Sequence, residues 1–284
     1  MALAPGRPLA LDLPAGRFHA LRFGASGGRL ALCVPGLSSN CTAFAAIGEG
    51  LAAGGRQVVA LDLRGRGRTP ATSRGTYGWP RHARDVLEAA ARLSGEPVDL
   101  VGHSMGAFVA MQAASMAPAA VRSLVLVDGA GPPEPAAMPA IRAAVGRLDT
   151  VHPSAAELIA VIRRLGIIEP WSERWERYFE HELEPVPGGV RARTDRAAVL
   201  EDLAWGEEHD PSDLWDDLRA PALLVRAALP LGPDGGHIVG ADDRDRFLAT
   251  VPGSRAVEVP ANHYGVVMHE ATIRAIGEFL AGVP

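Results

Sequence analysis

Hydrophobic positions fall into two textures that alternate along the chain. Leu30-Ala-Leu-Cys-Val, Gln57-Val-Val-Ala-Leu, Pro97-Val-Asp-Leu-Val, Val121-Arg-Ser-Leu-Val-Leu-Val and Pro221-Ala-Leu-Leu-Val are short, nearly continuous apolar runs. Runs of this length, rich in β-branched residues and bounded by Gly or Pro, predict strands buried on both faces. Between them the apolar spacing becomes helical. Ser39 or Asn40 can cap a helix running to about Ala53, and Trp79 to Ser94 repeats Ala83, Val86, Leu87, Ala90 and Leu93 on one face. Ala107 to Met116 reads as a third helix, stopped by Pro118. Leu9 to Leu13 and Arg17 to Phe23 precede all of these as two strands of a hairpin. After the Pro221 strand come a helix (Asp242 to Thr250), a last strand (Ala256-Val-Glu-Val) and a closing helix (Ala271 to Ala281). Strand and helix in alternation predict an α/β fold, a mostly parallel sheet covered by helices on both faces.

One stretch breaks that rhythm. From Ala130 to about Ala220 the segments are mostly helical: Met138 to Leu148, Ser154 to Leu165, Trp171 to Leu183 and Asp195 to Trp205. Pro153, Gly166, Pro170, Pro185-Val-Pro-Gly-Gly189 and Pro211 separate them. The economical reading is one α/β core, residues 1–129 and 221–284, interrupted by an inserted helical cap over 130–220.

Composition narrows the function. A chain of 284 residues that is 48% hydrophobic can bury a full core. The net charge of −5 carries no basic footprint, which argues against a nucleic-acid partner. No apolar run is long enough to span a bilayer, and the N-terminus lacks the pattern of a signal peptide. The expectation is a cytoplasmic protein acting on a small molecule, without nucleic acid or membrane; no oligomeric state is assigned. Cys33 and Cys41 form neither a C-x-x-C motif nor a disulfide framework, and Cys33 reads as a small core residue.

The candidate chemistry centres on Gly102-His-Ser-Met-Gly106, set between the Pro97 strand and the Ala107 helix. Glycines on both sides permit a turn too tight for side chains, which exposes the Ser104 hydroxyl at the C-terminal edge of the sheet. The N–H of Met105 then sits at a helix N-terminus, where it can donate to a developing oxyanion. The loop after Val34, Pro35-Gly36-Leu37, reaches the same edge and offers the Leu37 N–H as a second donor. A serine hydroxyl needs a base. His263, directly after the last strand, is the candidate, whereas His103 beside the serine reads as packing. The remaining histidines have no metal-ligand spacing, so no metal and no cofactor is called for. Two carboxylates can orient His263. Asp128 ends the strand after the nucleophile helix, and Asp234 lies well out along a Gly/Pro-rich loop. A triad acid must be rigidly held, which favours Asp128 and keeps Asp234 as the alternative.

Gly102-His-Ser-Met-Gly106, Pro35-Gly36-Leu37, Leu61-Asp-Leu-Arg-Gly-Arg-Gly-Arg68 and the late His263 together resemble the α/β-hydrolase superfamily. The resemblance covers the whole chain, with residues 130–220 in the place of the helical cap. Most members carry His-Gly at the oxyanion loop, where this chain has Pro35-Gly36, and place the acid after the strand matching Pro221 to Arg226. A minority, including haloalkane dehalogenases and zearalenone lactonases, place it one strand earlier, at the position of Asp128. The dehalogenases use an aspartate nucleophile, and Ser104 argues against their chemistry.

The sequence therefore predicts a serine hydrolase for a small or medium, mostly apolar carboxylic ester or lactone. Its catalytic residues are Ser104, His263 and Asp128, with the oxyanion held by Leu37 and Met105. Alternatives are a carbon–carbon bond hydrolase or thioesterase on the same residues, or a lyase or ligand-binding member of the fold. Trp171, Trp175, Tyr178 and Phe179 share helical spacing, as a wall over the pocket or as packing within the cap. Arg163, Arg164, Arg191 and Arg193 read as solvated helical charge, and Arg64, Arg66 and Arg68 receive no substrate role.

Overall fold

The structure, a computed structural model, describes residues 6–232 and 235–284. Among the described residues the strands are β1 (Arg7–Leu13), β2 (Gly16–Phe23), β3 (Leu30–Val34), β4 (Gln57–Leu61), β5 (Val98–His103), β6 (Val121–Val127), β7 (Leu183–Val186), β8 (Gly189–Ala192), β9 (Ala222–Ala227) and β10 (Arg255–Val259). The helices are α1 (Ala45–Ala53), α2 (Trp79–Leu93), α3 (Met105–Met116), α4 (Met138–Gly146), α5 (Ala155–Leu165), α6 (Arg174–Glu182), α7 (Arg196–Glu208), α8 (Ala241–Thr250) and α9 (Glu270–Ala281).

Eight strands form one sheet in the order β1-β2-β4-β3-β5-β6-β9-β10. The β1–β2 hairpin joins it antiparallel, and every pairing from β4 through β3, β5, β6 and β9 to β10 is parallel. Each residue of β3, β4, β5 and β9 is buried, as continuous apolar runs require when helices cover both faces. The alternation of side chains divides the core in two. Leu30, Leu32, Leu124 and Leu126 pack on one face with α2, α3 and α8. Ala31, Cys33, Val125 and Val127 pack on the other with α1 and α9.

The insertion leaves the sheet after β6 and returns at β9. It is not wholly helical: β7 and β8 pair as an antiparallel hairpin, and His152 bridges to Val190 beside it. Pro185-Val-Pro-Gly-Gly189, read in the sequence as a break, is thus the end of one strand, a turn and the start of the next. In a two-stranded ribbon Pro185 can direct its missing N–H outward, where no ladder bond is lost. Past α7, Trp215 rejoins the core, donating from Nε1 to the Ala130 carbonyl at 3.0 Å and meeting Phe247 edge-on. Among the described residues no helix is long and apolar enough to cross a membrane.

Parallel strands deliver their following loops to one edge, and the order reverses between β4-β3 and β5. The loops after β3 and β5 therefore leave in opposite directions and open a crevice between them. The closest approach in the fold lies there. A Cβ on Gly106 would overlap the Val34 carbonyl oxygen and come within 2.6 Å of the Pro35 oxygen. One on Gly102 would overlap the Gly106 carbonyl. All of these obstacles are backbone, which cannot swing aside. Gly106→Ala is expected to destabilise the protein by about 3 kcal/mol or more, read as a lowered urea midpoint. An unshifted midpoint would show that the α3–β3 approach tolerates a methyl group.

Candidate active site

Ser104 occupies the junction of β5 and α3 with φ 56° and ψ −127°, a conformation that L-residues avoid. Holding it costs on the order of 1–3 kcal/mol. Its N–H donates to the Val127 carbonyl at 3.0 Å, and its own carbonyl accepts from Ala107 N–H at 2.8 Å. The strained residue is thereby clamped to β6 on one side and to the first turn of α3 on the other.

Asp128, at the end of β6, is the other non-glycine residue with positive φ among those described, at 46°. Its backbone N–H donates to Val225 at 2.7 Å, and its Oδ1 accepts from the Ala227 N–H at 2.9 Å. Both anchors belong to β9. They leave Oδ2 facing His263, whose Nδ1 lies 2.7 Å away. The opposite ring nitrogen, Nε2, is 3.0 Å from Ser104 Oγ. Ser104, His263 and Asp128 are thus one hydrogen-bonded chain: Nδ1–H donates to the carboxylate and Nε2 is free to accept from the hydroxyl. Such a chain can carry a proton off the serine while the carboxylate holds the tautomer. Asp234 lies outside the described residues.

Leu37 follows β3 and Met105 opens α3, and both line the same cavity as Ser104 and His263. As the first residue of its helix, Met105 has an N–H with no intrahelical acceptor. Ser39 N–H closes a turn onto the Gly36 carbonyl at 3.2 Å, and Asn40 caps the 3-10 turn Cys41–Phe44 by accepting from Thr42 N–H.

Several supports of this site carry no short-range sequence signal. His103 stacks on His263 with ring centroids 4.7 Å apart, and its Nε2 donates to the His263 carbonyl at 3.0 Å. Burial first, and the neighbouring His263 second, push His103 down to about 3, so it serves as a neutral donor. Asn262 pins the same loop to the insertion. Its Oδ1 accepts from Glu169, Tyr264 and Gly265 N–H groups, and its Nδ2 donates to Ile167 at 3.0 Å. Arg66 is fully buried; its Nε donates to the Leu37 carbonyl at 2.9 Å and its Nη2 to Asp202 at 2.5 Å. Asp202, on α7, also accepts from His82 at 2.8 Å and from Gly78 N–H at 2.6 Å. Burial alone would raise the Asp202 carboxyl, but His82, Arg66 and the Gly78 N–H outweigh it and hold it at about 2.

The cavity above Ser104 measures about 650 Å³. The insertion supplies much of its wall, including Met138, Ile141, Leu158, Trp175, Tyr178 and Phe179. The predicted aromatic face needs one correction: Trp171 is not on the helix. Ser172 Oγ accepts from Arg174 N–H, so the chain turns before α6 begins. Trp171 instead stacks on Phe179 and lies under Arg163. Arg163 also reaches Glu176, and Arg191 and Arg193 reach Glu184. Arg64 forms a two-pronged pair with Asp85.

A family described as the alpha/beta hydrolase fold matches residues 32–158. The chain is 31% identical over 226 residues to a 3-hydroxybutyrate-oligomer hydrolase of Cupriavidus necator, covering 70% of this chain and 72% of that protein. It is 35% identical over 233 residues to a pimeloyl-[acyl-carrier protein] methyl ester esterase of Methylococcus capsulatus, covering 79% of this chain and 84% of that one. The crystal structure of E-2-(acetamidomethylene)succinate hydrolase superposes with a TM-score of 0.83 at 24% identity, over 98% of this chain and 100% of that chain, and so shares the fold. The chain belongs to the α/β-hydrolase family and is a hydrolase.

The Arg66–Asp202 pair yields a stability prediction. Asp202→Asn leaves a buried guanidinium without its counter-charge and is expected to cost about 3 to 5 kcal/mol at pH 7. The native carboxyl titrates below its ordinary value of 3.8. Its contribution is therefore complete above that value and is lost as pH falls toward about 2. Urea titrations of the two proteins should converge over that window; equal stability at pH 7 would show that the pair contributes nothing.

Proposed function

We propose that the protein hydrolyses a small-to-medium, mostly apolar carboxylic ester or lactone through an acyl-enzyme on Ser104. The observation that carries this reading is the Ser104–His263–Asp128 hydrogen-bonded chain opening into an apolar cavity. The methyl ester esterase among the relatives supports the choice of bond by its name.

In the proposed reaction Ser104 Oγ attacks the ester carbonyl as His263 Nε2 takes the hydroxyl proton. The imidazolium is stabilised by Asp128, and the carbonyl electron pair moves onto oxygen, where the N–H groups of Leu37 and Met105 receive it. Collapse expels the alkoxide, which takes the proton from His263. Water then repeats the sequence on the acyl-enzyme and frees the acid. In a lactone both products remain one hydroxy acid. Residues 130–220 act as a cap over the core formed by 1–129 and 221–284, and their apolar lining selects the acyl or alcohol part.

A fluorophosphonate probe is expected to label the protein once, at Ser104. Ser104→Ala should abolish both labelling and cleavage of p-nitrophenyl acyl esters. Asp128→Asn keeps the side-chain shape but removes the charge behind His263, and is expected to lower kcat about 10³- to 10⁴-fold with KM little changed. Unlabelled Ser104, or an Asp128→Asn variant of full activity, would overturn the assignment. Faster turnover of thioesters or of carbon–carbon bond substrates than of any ester or lactone would overturn the choice of bond.

A further inference from the structure

Apart from the catalytic chain, four side chains with metal-ligand chemistry meet where α6 packs on the 3-10 turn after β3. His19 comes from β2, Cys41 from the 3-10 turn after β3, Asp62 from the end of β4 and His181 from α6. One donor atom from each lies within 4.8 Å of all the others. His19 Nδ1 is 2.8 Å and His181 Nε2 is 3.7 Å from Asp62 Oδ2. Cys41 Sγ is 3.8 Å from His19 Nδ1 and 4.0 Å from His181 Nε2. A tetrahedral zinc ion, with metal–nitrogen and metal–sulfur bonds of ordinary length, sets its donors roughly 3.3 to 3.6 Å apart. Shifts of about half an ångström, within the reach of small side-chain rotations, would bring these four edges to that spacing, and the other two already lie within 4.8 Å.

As hydrogen bonding alone, the cluster is poorly resolved. His19 and Asp62 form a good pair, but 3.7 Å from His181 Nε2 to the carboxylate is too long for a hydrogen bond. Asp62 is meanwhile braced like a ligand. Its Oδ1 accepts from Cys41 N–H at 2.7 Å and its Oδ2 from Arg68 N–H at 2.9 Å. Carboxylates oriented by backbone donors in this way are what metal sites use.

We propose that His19, Cys41, Asp62 and His181 bind one zinc-type divalent cation, which clamps α6 and the cavity wall it carries onto the sheet. The donor set of two imidazoles, a thiolate and a carboxylate suits zinc or cobalt and not calcium or magnesium, which take oxygen ligands. Charge balances, since the dication meets one thiolate and one carboxylate. The Cys41 thiol proton leaves to solvent, and His19 moves its proton to Nε2 as Nδ1 turns to the metal. A bound dication favours the thiolate over the thiol. Four protein ligands leave no open position, so the role is structural. The side chains of His19 and His181 are 17% and 13% exposed, which leaves the cluster a path to solvent. Its function is to fix α6, whose Trp175, Tyr178 and Phe179 face the cavity.

The test uses the full-length protein, stripped with chelator and titrated with Co²⁺. One equivalent is expected to give the strong visible absorption of tetrahedral Co²⁺ and a near-ultraviolet thiolate-to-cobalt band, and Zn²⁺ should bleach both. Cys41→Ser should remove the thiolate band. His181→Ala, partly exposed and on the insertion, should bind at least tenfold more weakly. Zn²⁺ should raise Tm by several degrees in the wild type and much less in His181→Ala. A weak octahedral spectrum, a spectrum unchanged by Cys41→Ser, or equal Zn²⁺ shifts in wild type and His181→Ala would each overturn the site. If either variant fails to fold, His19→Gln replaces it in the same titration and is expected to bind at least tenfold more weakly.

Discussion

The structure depends on one steric fact, that α3 lies against the ends of β3 and β5 with nothing between them but backbone. Gly102 and Gly106 make that contact possible, and the chain between them has only a tight reversal in which to place Ser104. The positive φ of Ser104 follows from it and would relax if the helix stood further off. The interactions that hold the strain are those that build the site. The Ser104 N–H is tied to Val127, one residue before Asp128, so the turn and the carboxylate that meets His263 share a single strand end.

Asp128 shows how that constraint spreads across the sheet. A carboxylate placed one strand before its usual position must reach His263 from β6, two strands from β10. It does so by adopting positive φ and fastening Oδ1 and its own N–H to β9. β9 thus holds the carboxylate that meets His263.

Elements whose cause is local were legible in the sequence. Doubly buried strands announce themselves as apolar runs, Asn40 as a cap, and Ser104, Asp128 and His263 as residues at the ends of parallel strands, where topology makes them neighbours. The rest depends on partners far along the chain. Arg66 meets Leu37 and Asp202, the hydrogen bond from His103 needs His263 in place, and Asn262 needs the segment at Ile167. The β7–β8 hairpin is concealed because Pro185 and the glycines at 188 and 189 punctuate a helix and a ribbon alike. His19, Cys41, Asp62 and His181 lie too far apart for any spacing rule, although each is an ordinary residue of its own element.

Most of those distant contacts share a direction: they join the insertion to the core beside the loops of the candidate site. Arg66 links the Leu37 loop to α7, Asn262 links the His263 loop to the segment between α5 and α6, and Asn40 donates to Glu182 at the end of α6. Glu182 also accepts from Thr194, and burial still raises it to about 7. Buried polar ties are poor sources of net stability, but each tolerates a single geometry. An apolar seam alone would let the insertion slide, because hydrophobic contact has no direction. With Leu37 and His263 each tied through a polar bond to the elements that wall the cavity, a displacement of the insertion must pull on the groups around Ser104. The shape of the cavity and the geometry at its floor are therefore set together.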